Sequence, residues 1–563
     1  MRSWFWPGLA VLLSIPSTAP TARAANADPV AAHDDSVETA LRATVTSGTL
    51  AGLRWPRFPP YRDELEALYS KSAWRPVWTV QGRPTPAAQA AIDALRNAGE
   101  RGLHPDDYDA TLLERRSREL AAARFPTARD VAWFDAALSV GFLRHVWDVH
   151  VGRVNPQRIS IGINVEPKKR NFAAELRQAI DAGRVAEMVR DIEPRFIQYR
   201  NMKSAYAHYR TLALDPAPPP VLSAKPVRPG GHFAGAMALR RRLGVTGDLP
   251  AADVRAADTT LYDGALAGAV SRFQERHGLA PDSVLGPSTL AAVNVPFARR
   301  ARQLELAMER IRWLPEPAGP FLVVNVPSFQ LYGFDTLRAT GVPDMTMNVV
   351  VGRDQVGRQT PLFERDMRYI VLRPYWVIPR GILRKETLPA VRRNHGYLAR
   401  NNMEIYSGSG DTGPAVPTTS ANIERVARGE LGIRQRPGPK NSLGLAKFIF
   451  PNDHNVYLHG TPATELFSRA RRDFSHGCVR VEDPERLAVW VLRDPRQWPT
   501  EQVRRAMQGE RPRVVNLSRP LPVVIYYSTA VVRTDGTVAF YDDVYRHDAT
   551  LESALAKGYP FPP

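Results

Sequence analysis

The chain has 563 residues, 44% hydrophobic and 23% charged, with a formal net charge of +18. This is the balance of a folded protein with several cores, and it excludes a disordered or fibrous chain. Two to four domains fit the length, and 49 prolines point to long connectors and Pro-punctuated loops.

The amino terminus reads as an export signal over residues 1–24. Arg2 supplies the positive n-region, Trp4 to Ile15 a short, mostly apolar run, and Ala22-Arg23-Ala24 a small-x-small cleavage site before Ala25. Twelve apolar-rich residues are too few to span a bilayer, no cysteine follows them for lipid attachment, and no other segment approaches membrane-spanning length. Losing Arg2 and Arg23 with the signal leaves +16, mostly arginine spread along the chain. No nucleic-acid-binding motif accompanies that charge. It suits an anionic polymer, or at most peripheral contact with a membrane surface. The expected location is the periplasm, with association to the wall or inner membrane open.

Residues 28–60, rich in Ala, Pro and Asp, are expected to be loosely ordered at the start of a helical domain, 28–213. Within it Val131, Phe134, Leu138, Phe142 and Val146 recur every three or four residues and mark one buried helix face. His145 and His150 lie on or just after that helix, with no carboxylate or thiol spaced with them as metal ligands; they are expected to be partly buried or surface histidines. Leu214 to Gly231 holds six prolines and ends in Gly-Gly, a linker composition. A compact unit follows over 232–296, with helices expected at Ala234–Leu243 and Leu266–His277 and a third after Gly286-Pro287-Ser288-Thr289. Phe273-Gln274 and that turn resemble the three-helix peptidoglycan-binding module, although Ser283 stands where the module's usual signature has glycine. A connecting helix is expected over 297–318.

After Gly319 the period changes to that of strands. Phe321–Val326, Gln330–Tyr332, Met345–Val351 and Arg368–Leu372 are β-rich runs, and Asp535-Gly536 between Ile525–Val532 and Thr537–Tyr541 is a hairpin signal. The expected fold is multidomain α+β, with a β-dominated domain over 319–545 and a tail over 546–563. From Pro374 to Lys440 the pattern turns helical and loop-like, an insertion of about seventy residues, long enough for a lid. Tyr375, Trp376 and Tyr397 on it are suited to lining a cleft.

The chain's single cysteine, Cys478, sits in Ser475-His476-Gly477-Cys478-Val479-Arg480, downstream of Tyr457-Leu458-His459-Gly460-Thr461. Thiolate chemistry needs a nucleophile, a base and backbone donors for the oxyanion, and these two strings can supply all three. Gly477 allows close backbone approach, and Asp483-Pro484 is a helix start. Either His459 or His476 can take the thiol proton as far as spacing goes. His454 and Asp453 lie close by, but neither Cys-x-x-Cys nor His-Glu-x-x-His spacing supports a metal site.

These strings resemble the signature of the L,D-transpeptidase (YkuD-domain) family. Within it the chain is similar to the large Gram-negative branch with a helical scaffold, a peptidoglycan-binding domain and a capping insertion. Tyr69, Trp74, Trp78, Gly102–Tyr108 and Arg434–Gly444 carry further likeness. The resemblance implies that Cys478 is the nucleophile and His459 the base, with His476 and Gly477 shaping the pocket beside the thiol. It implies substrate contacts at Arg480, suited to a carboxylate, and at Tyr457; Ser475, Gly460 and Trp376 complete the candidate substrate-binding set. The implied reaction takes a tetrapeptide stem, expels D-alanine, forms a thioester, and passes the acyl group to a second stem's diaminopimelate amine as a 3→3 cross-link, with no cofactor or metal. Carbapenems are implied as covalent inhibitors at Cys478. A wall-peptide cysteine peptidase would share the acyl-enzyme, but the common wall hydrolases place Cys before His. A non-catalytic wall-binding scaffold would not need an intact reactive motif.

Overall fold

The computed structural model describes residues 29–214, 219–255, 258–337 and 341–558, with side chains from Ser36 onward. The expected export signal lies outside the described residues. No helix among those residues is long and apolar enough to cross a membrane.

The first difference from expectation comes at once. Pro29–Ser47 is a helix (α1), not loose chain, because Val37, Leu41 and Val45 fall on one face and bury against Ala128–His150 (α2). Helix α2 is capped by Thr127, which accepts from the Asp130 amide at 3.1 Å. It is buried on all sides from Phe134 to Val149, not on one face, and so forms the centre of the helical domain. Its Asp135 accepts from the Tyr69 hydroxyl at 2.8 Å and from the Val77 and Trp78 amides at 3.0 and 2.9 Å. Burial nevertheless lifts the carboxyl to about 6. His145 is wholly buried, edge-on to Tyr108, where a partly exposed ring was expected.

Ile197–Leu214 (α3) closes this domain. From Pro219 the segment expected to be a linker packs on the small helical unit: Val221 is buried with its amide on Asn294 at 2.8 Å, and Val227 bridges Leu285. Ala236–Val245 (α4), Gly264–Arg276 (α5) and Pro287–Val293 (α6) enclose a separate core around Leu239, Leu266 and Val270. Ser283 keeps the turn that glycine would make. It adopts φ +56, a conformation uncommon for a side-chain-bearing residue, with its amide donating to Gln274 Oε1 at 2.9 Å.

Phe297–Trp313 (α7) is no mere connector. It packs on α3 and is buried along most of its length. Arg310 pairs with Asp548 at 2.6 Å and Arg312 with Glu309 at 2.9 Å, all four side chains nearly fully buried. Asp548 belongs to a helix, His547–Ala556 (α8), within the segment expected to be a tail.

Eight strands close into a barrel: Phe321–Asn325 (β1), Gln330–Phe334 (β2), Met345–Gly352 (β3), Phe363–Leu372 (β4), Ala446–Ile449 (β5), Leu458–His459 (β6), Val479–Val481 (β7) and Arg513–Tyr526 (β8). The ring runs β1-β2-β3-β7-β6-β5-β4-β8 and returns to β1, leaving no free edge among these strands. The pairs β6–β7 and β8–β1 are parallel, the others antiparallel. Asp473–Ser475 adds onto β3 just before the reactive motif. The Asp535-Gly536 hairpin forms, but its arms, Ala530–Val532 and Val538–Phe540, make their own two-stranded sheet separate from β8. The insertion is a subdomain with its own four-stranded sheet and its own core, including Ile378, Val391, Ile405, Ile423 and Ile433.

Candidate active site

The parallel β6–β7 register sets Leu458 against Val479 and His459 against Arg480. Leu458 and Val479 are fully buried in the core. Side chains alternate along a strand, so His459 and Arg480 face outward. Tyr457 and Cys478, two residues earlier on each chain, share that outer face; the Val479 amide donating to the Tyr457 carbonyl at 3.2 Å continues the register. Four of the expected site residues are thus brought into one two-by-two array by a single strand pairing.

Cys478 is half-buried, its thiol directed at the Asn455 carbonyl 3.8 Å away. Burial pushes the thiol up. Hydrogen bonds from the Tyr457 amide and hydroxyl, and the positive charges of Lys447 and Arg480, oppose that and favour thiolate. Tyr457's own hydroxyl is pushed up by burial and by the charge that Cys478 carries when ionised. Lys447 lies opposite His459 across the β5–β6 pair.

His459 is buried, with Nδ1 2.5 Å from the Gly460 carbonyl oxygen. A carbonyl only accepts, so Nδ1 carries the proton and Nε2 is left as the free acceptor. Burial, then the charge of Arg480, hold its pKa down at about 3, so the ring is neutral at neutral pH. A buried, oriented, neutral imidazole is the form that can take a proton.

His476 is placed differently. Its Nε2 donates to Glu386 of the insertion at 3.1 Å, and Arg358 reaches the same carboxylate oxygen at 3.3 Å. Ser475 is buried and spends its hydroxyl on the turn, donating to the Cys478 carbonyl at 2.5 Å and accepting from the Gly477 amide at 3.1 Å. Through these two bonds it shapes the motif's backbone. Gly477 adopts φ +123, which only glycine takes without strain, and its carbonyl is held by Thr360 Oγ1 at 2.8 Å. Gly460 orients His459 through its carbonyl. Trp376, at the base of the insertion, packs against the insertion's own core. Arg480 is partly buried with Nε unpartnered; burial and the charge of Arg353 depress its pKa, while the nearby thiolate counters.

Glu386, Arg358, Thr360, Lys447 and the Gly460 carbonyl escaped the sequence. Lys447 alone left a signal, as the polar residue in Ala446-Lys447-Phe448. A cavity of about 1570 Å³ lies between the small helical unit and the β1–β3 face, and Cys478 does not line it. No cluster of metal-ligating residues occurs among the described residues.

Fold and site define a closed barrel with a cysteine–histidine pair on its outer face, roofed by an insertion and preceded by two helical units. Comparison with known families gives these parts names. Residues 63–205 match the scaffold domain, 238–293 the "Putative peptidoglycan binding domain", and 319–525 the L,D-transpeptidase catalytic domain of the YkuD type. A Haemophilus influenzae protein named "Putative L,D-transpeptidase" is 27% identical over 254 residues, 45% of this chain and 49% of that protein. The chain therefore spans about half the length of the curated relative it matches. It carries a YkuD-type L,D-transpeptidase catalytic domain behind a scaffold and a peptidoglycan-binding domain.

Proposed function

We propose that the protein is a periplasmic L,D-transpeptidase that forms 3→3 diaminopimelate cross-links in peptidoglycan from tetrapeptide donor stems. The observation that carries this reading is the ordered set of Cys478, His459 and the Gly460 carbonyl on β6 and β7. The Cys478 thiol gives its proton to His459 Nε2 as Sγ attacks the carbonyl at the L-centre of the donor's diaminopimelate. The imidazolium so formed is held by Nδ1–H on Gly460, the orienting part that a third residue plays in a triad. In this reading the Cys478 amide, on the turn that Gly477 forms, donates to the oxyanion. The C–N bond to D-alanine breaks, the leaving amine takes the proton from His459, and a thioester remains. The side-chain amine of a second stem then attacks the thioester, His459 takes its proton, and Cys478 is released as thiol.

Arg480, with an unpartnered Nε beside the thiol, is suited to a stem carboxylate. The amino-terminal signal pattern supports the periplasmic assignment, and the matched binding domain supports peptidoglycan as the polymer engaged. Carbapenems, with a strained carbonyl in place of the scissile amide, should acylate the same sulfur. Incubation with purified tetrapeptide muropeptides tests the reading. It predicts one D-alanine released per 3→3 dimer, and neither product from Cys478→Ala. Release of D-alanine with tripeptides alone would make the protein a hydrolase instead.

A further inference from the structure

The insertion meets the catalytic motif at a definable point. Glu386 lies in a π-helical turn, Leu383–Thr387, between two short α-helical pieces. Such widened turns often occur at functional sites. Its Oε1 accepts from His476 Nε2 at 3.1 Å and from Arg358 Nη2 at 3.3 Å. A carboxylate offers no proton, so His476 Nε2 is a donor there and is not available to take the thiol proton.

Both donors lead directly to the nucleophile. His476 precedes Gly477 and Cys478. Arg358 is two residues from Thr360, whose hydroxyl holds the Gly477 carbonyl at 2.8 Å. One carboxylate thus ties the insertion to both sides of the turn that carries the sulfur. Asp411, also on the insertion, adds a small upward push to the Tyr457 hydroxyl after burial and Cys478. The Glu386, His476 and Arg358 side chains are 46%, 35% and 27% exposed. Ion pairs this exposed contribute little to folding, so the consequence of the cluster is positional.

We propose that Glu386 is a positioning residue for acyl transfer: it clamps the insertion onto the nucleophile turn and keeps water from the thioester until the acceptor amine enters. The proposal rests on the transpeptidase reading above. Two reactions compete for the thioester. In one the acceptor nitrogen forms the new C–N bond as the C–S bond breaks; in the other water forms a C–O bond and a tripeptide leaves. In both, the attacking group's proton goes to His459 and the thiol is restored. A clamped roof selects between them by access.

The test compares wild type with Glu386→Ala, Glu386→Gln and His476→Ala on tetrapeptide muropeptides, with thermal unfolding as the folding check. Glu386→Ala should raise the tripeptide-to-dimer ratio by roughly fivefold or more, while iodoacetamide modifies Cys478 at the wild-type rate within about twofold. Glu386→Gln, which keeps an acceptor oxygen, should fall between. Adding His476→Ala to Glu386→Ala should change the ratio little, because Glu386→Ala already removes the contact that His476 makes. An unchanged ratio in Glu386→Ala, or fully additive effects, would overturn the proposal. If wild type forms no dimers, the transpeptidase reading itself fails. The lifetime of the carbapenem adduct on Cys478 then decides for Glu386, a shorter lifetime in Glu386→Ala supporting it and an equal one overturning it.

Discussion

Cys478 and His459 rest as a neutral pair, and burial is the reason. Burial raises the thiol, while burial and Arg480 lower the imidazole to about 3. The same cations that disfavour imidazolium favour thiolate, so the proton is poised to move only when attack begins. Alkylation of Cys478 by iodoacetamide should therefore rise with pH through neutrality, with no plateau between pH 5 and 7 of the kind a thiolate–imidazolium pair gives. A rate already constant in that range would contradict the assignment. His459→Ala should slow acylation by a muropeptide donor by about two to four orders of magnitude, the usual span for a general acid–base group; stopped-flow or timed mass spectrometry would read it. At this scale the sequence was informative wherever chemistry resides in a side chain type. Cys478, His459, Tyr457 and Arg480 were visible as motif members. The Gly460 carbonyl was not, because a backbone oxygen leaves no mark on composition. Lys447 and Glu386 were not, because they reach the site through pairing and tertiary contact.

On the proposed reading, acyl partitioning depends on the insertion. Replacing residues 374–440 with a short Gly-Ser loop should leave Cys478 open to acylation but shift products from dimers to tripeptides, measured by chromatography of the muropeptides. A folded deletion variant with the wild-type product ratio would show that the insertion is not a lid. The insertion was expected because strand alternation stops near Pro374 and returns at Phe448-Ile449-Phe450, at the end of β5. The opposite happened in the segment 28–60. Its Ala, Pro and Asp content suggested loose chain, yet Val37, Leu41 and Val45 were already spaced by four, and α2 gave that face something to cover. Likewise α8 looked like a tail, since its value lies in one buried acid, Asp548, whose partner Arg310 is 238 residues away.

For the whole molecule, one apolar core runs from the scaffold through α7 into the barrel, while the small helical unit and the insertion keep cores of their own. Helix α7 stands at the centre of the larger core. Asp548 accepts from Arg310 and from the Thr529 hydroxyl, both at 2.6 Å. Asp548→Ala strands a buried guanidinium and should cost about 3–5 kcal/mol, seen as a lowered midpoint in denaturant. An unchanged midpoint would show that α8 is dispensable to the core. A chain built on this frame is expected to make a thioester at Cys478 from a tetrapeptide stem. Intact-protein mass spectrometry of a rapidly quenched reaction would show it most directly. The expected result is a single adduct of the donor's mass less D-alanine, on the Cys478 peptide and absent from Cys478→Ala. No such adduct, with D-alanine still released by the wild type, would contradict it.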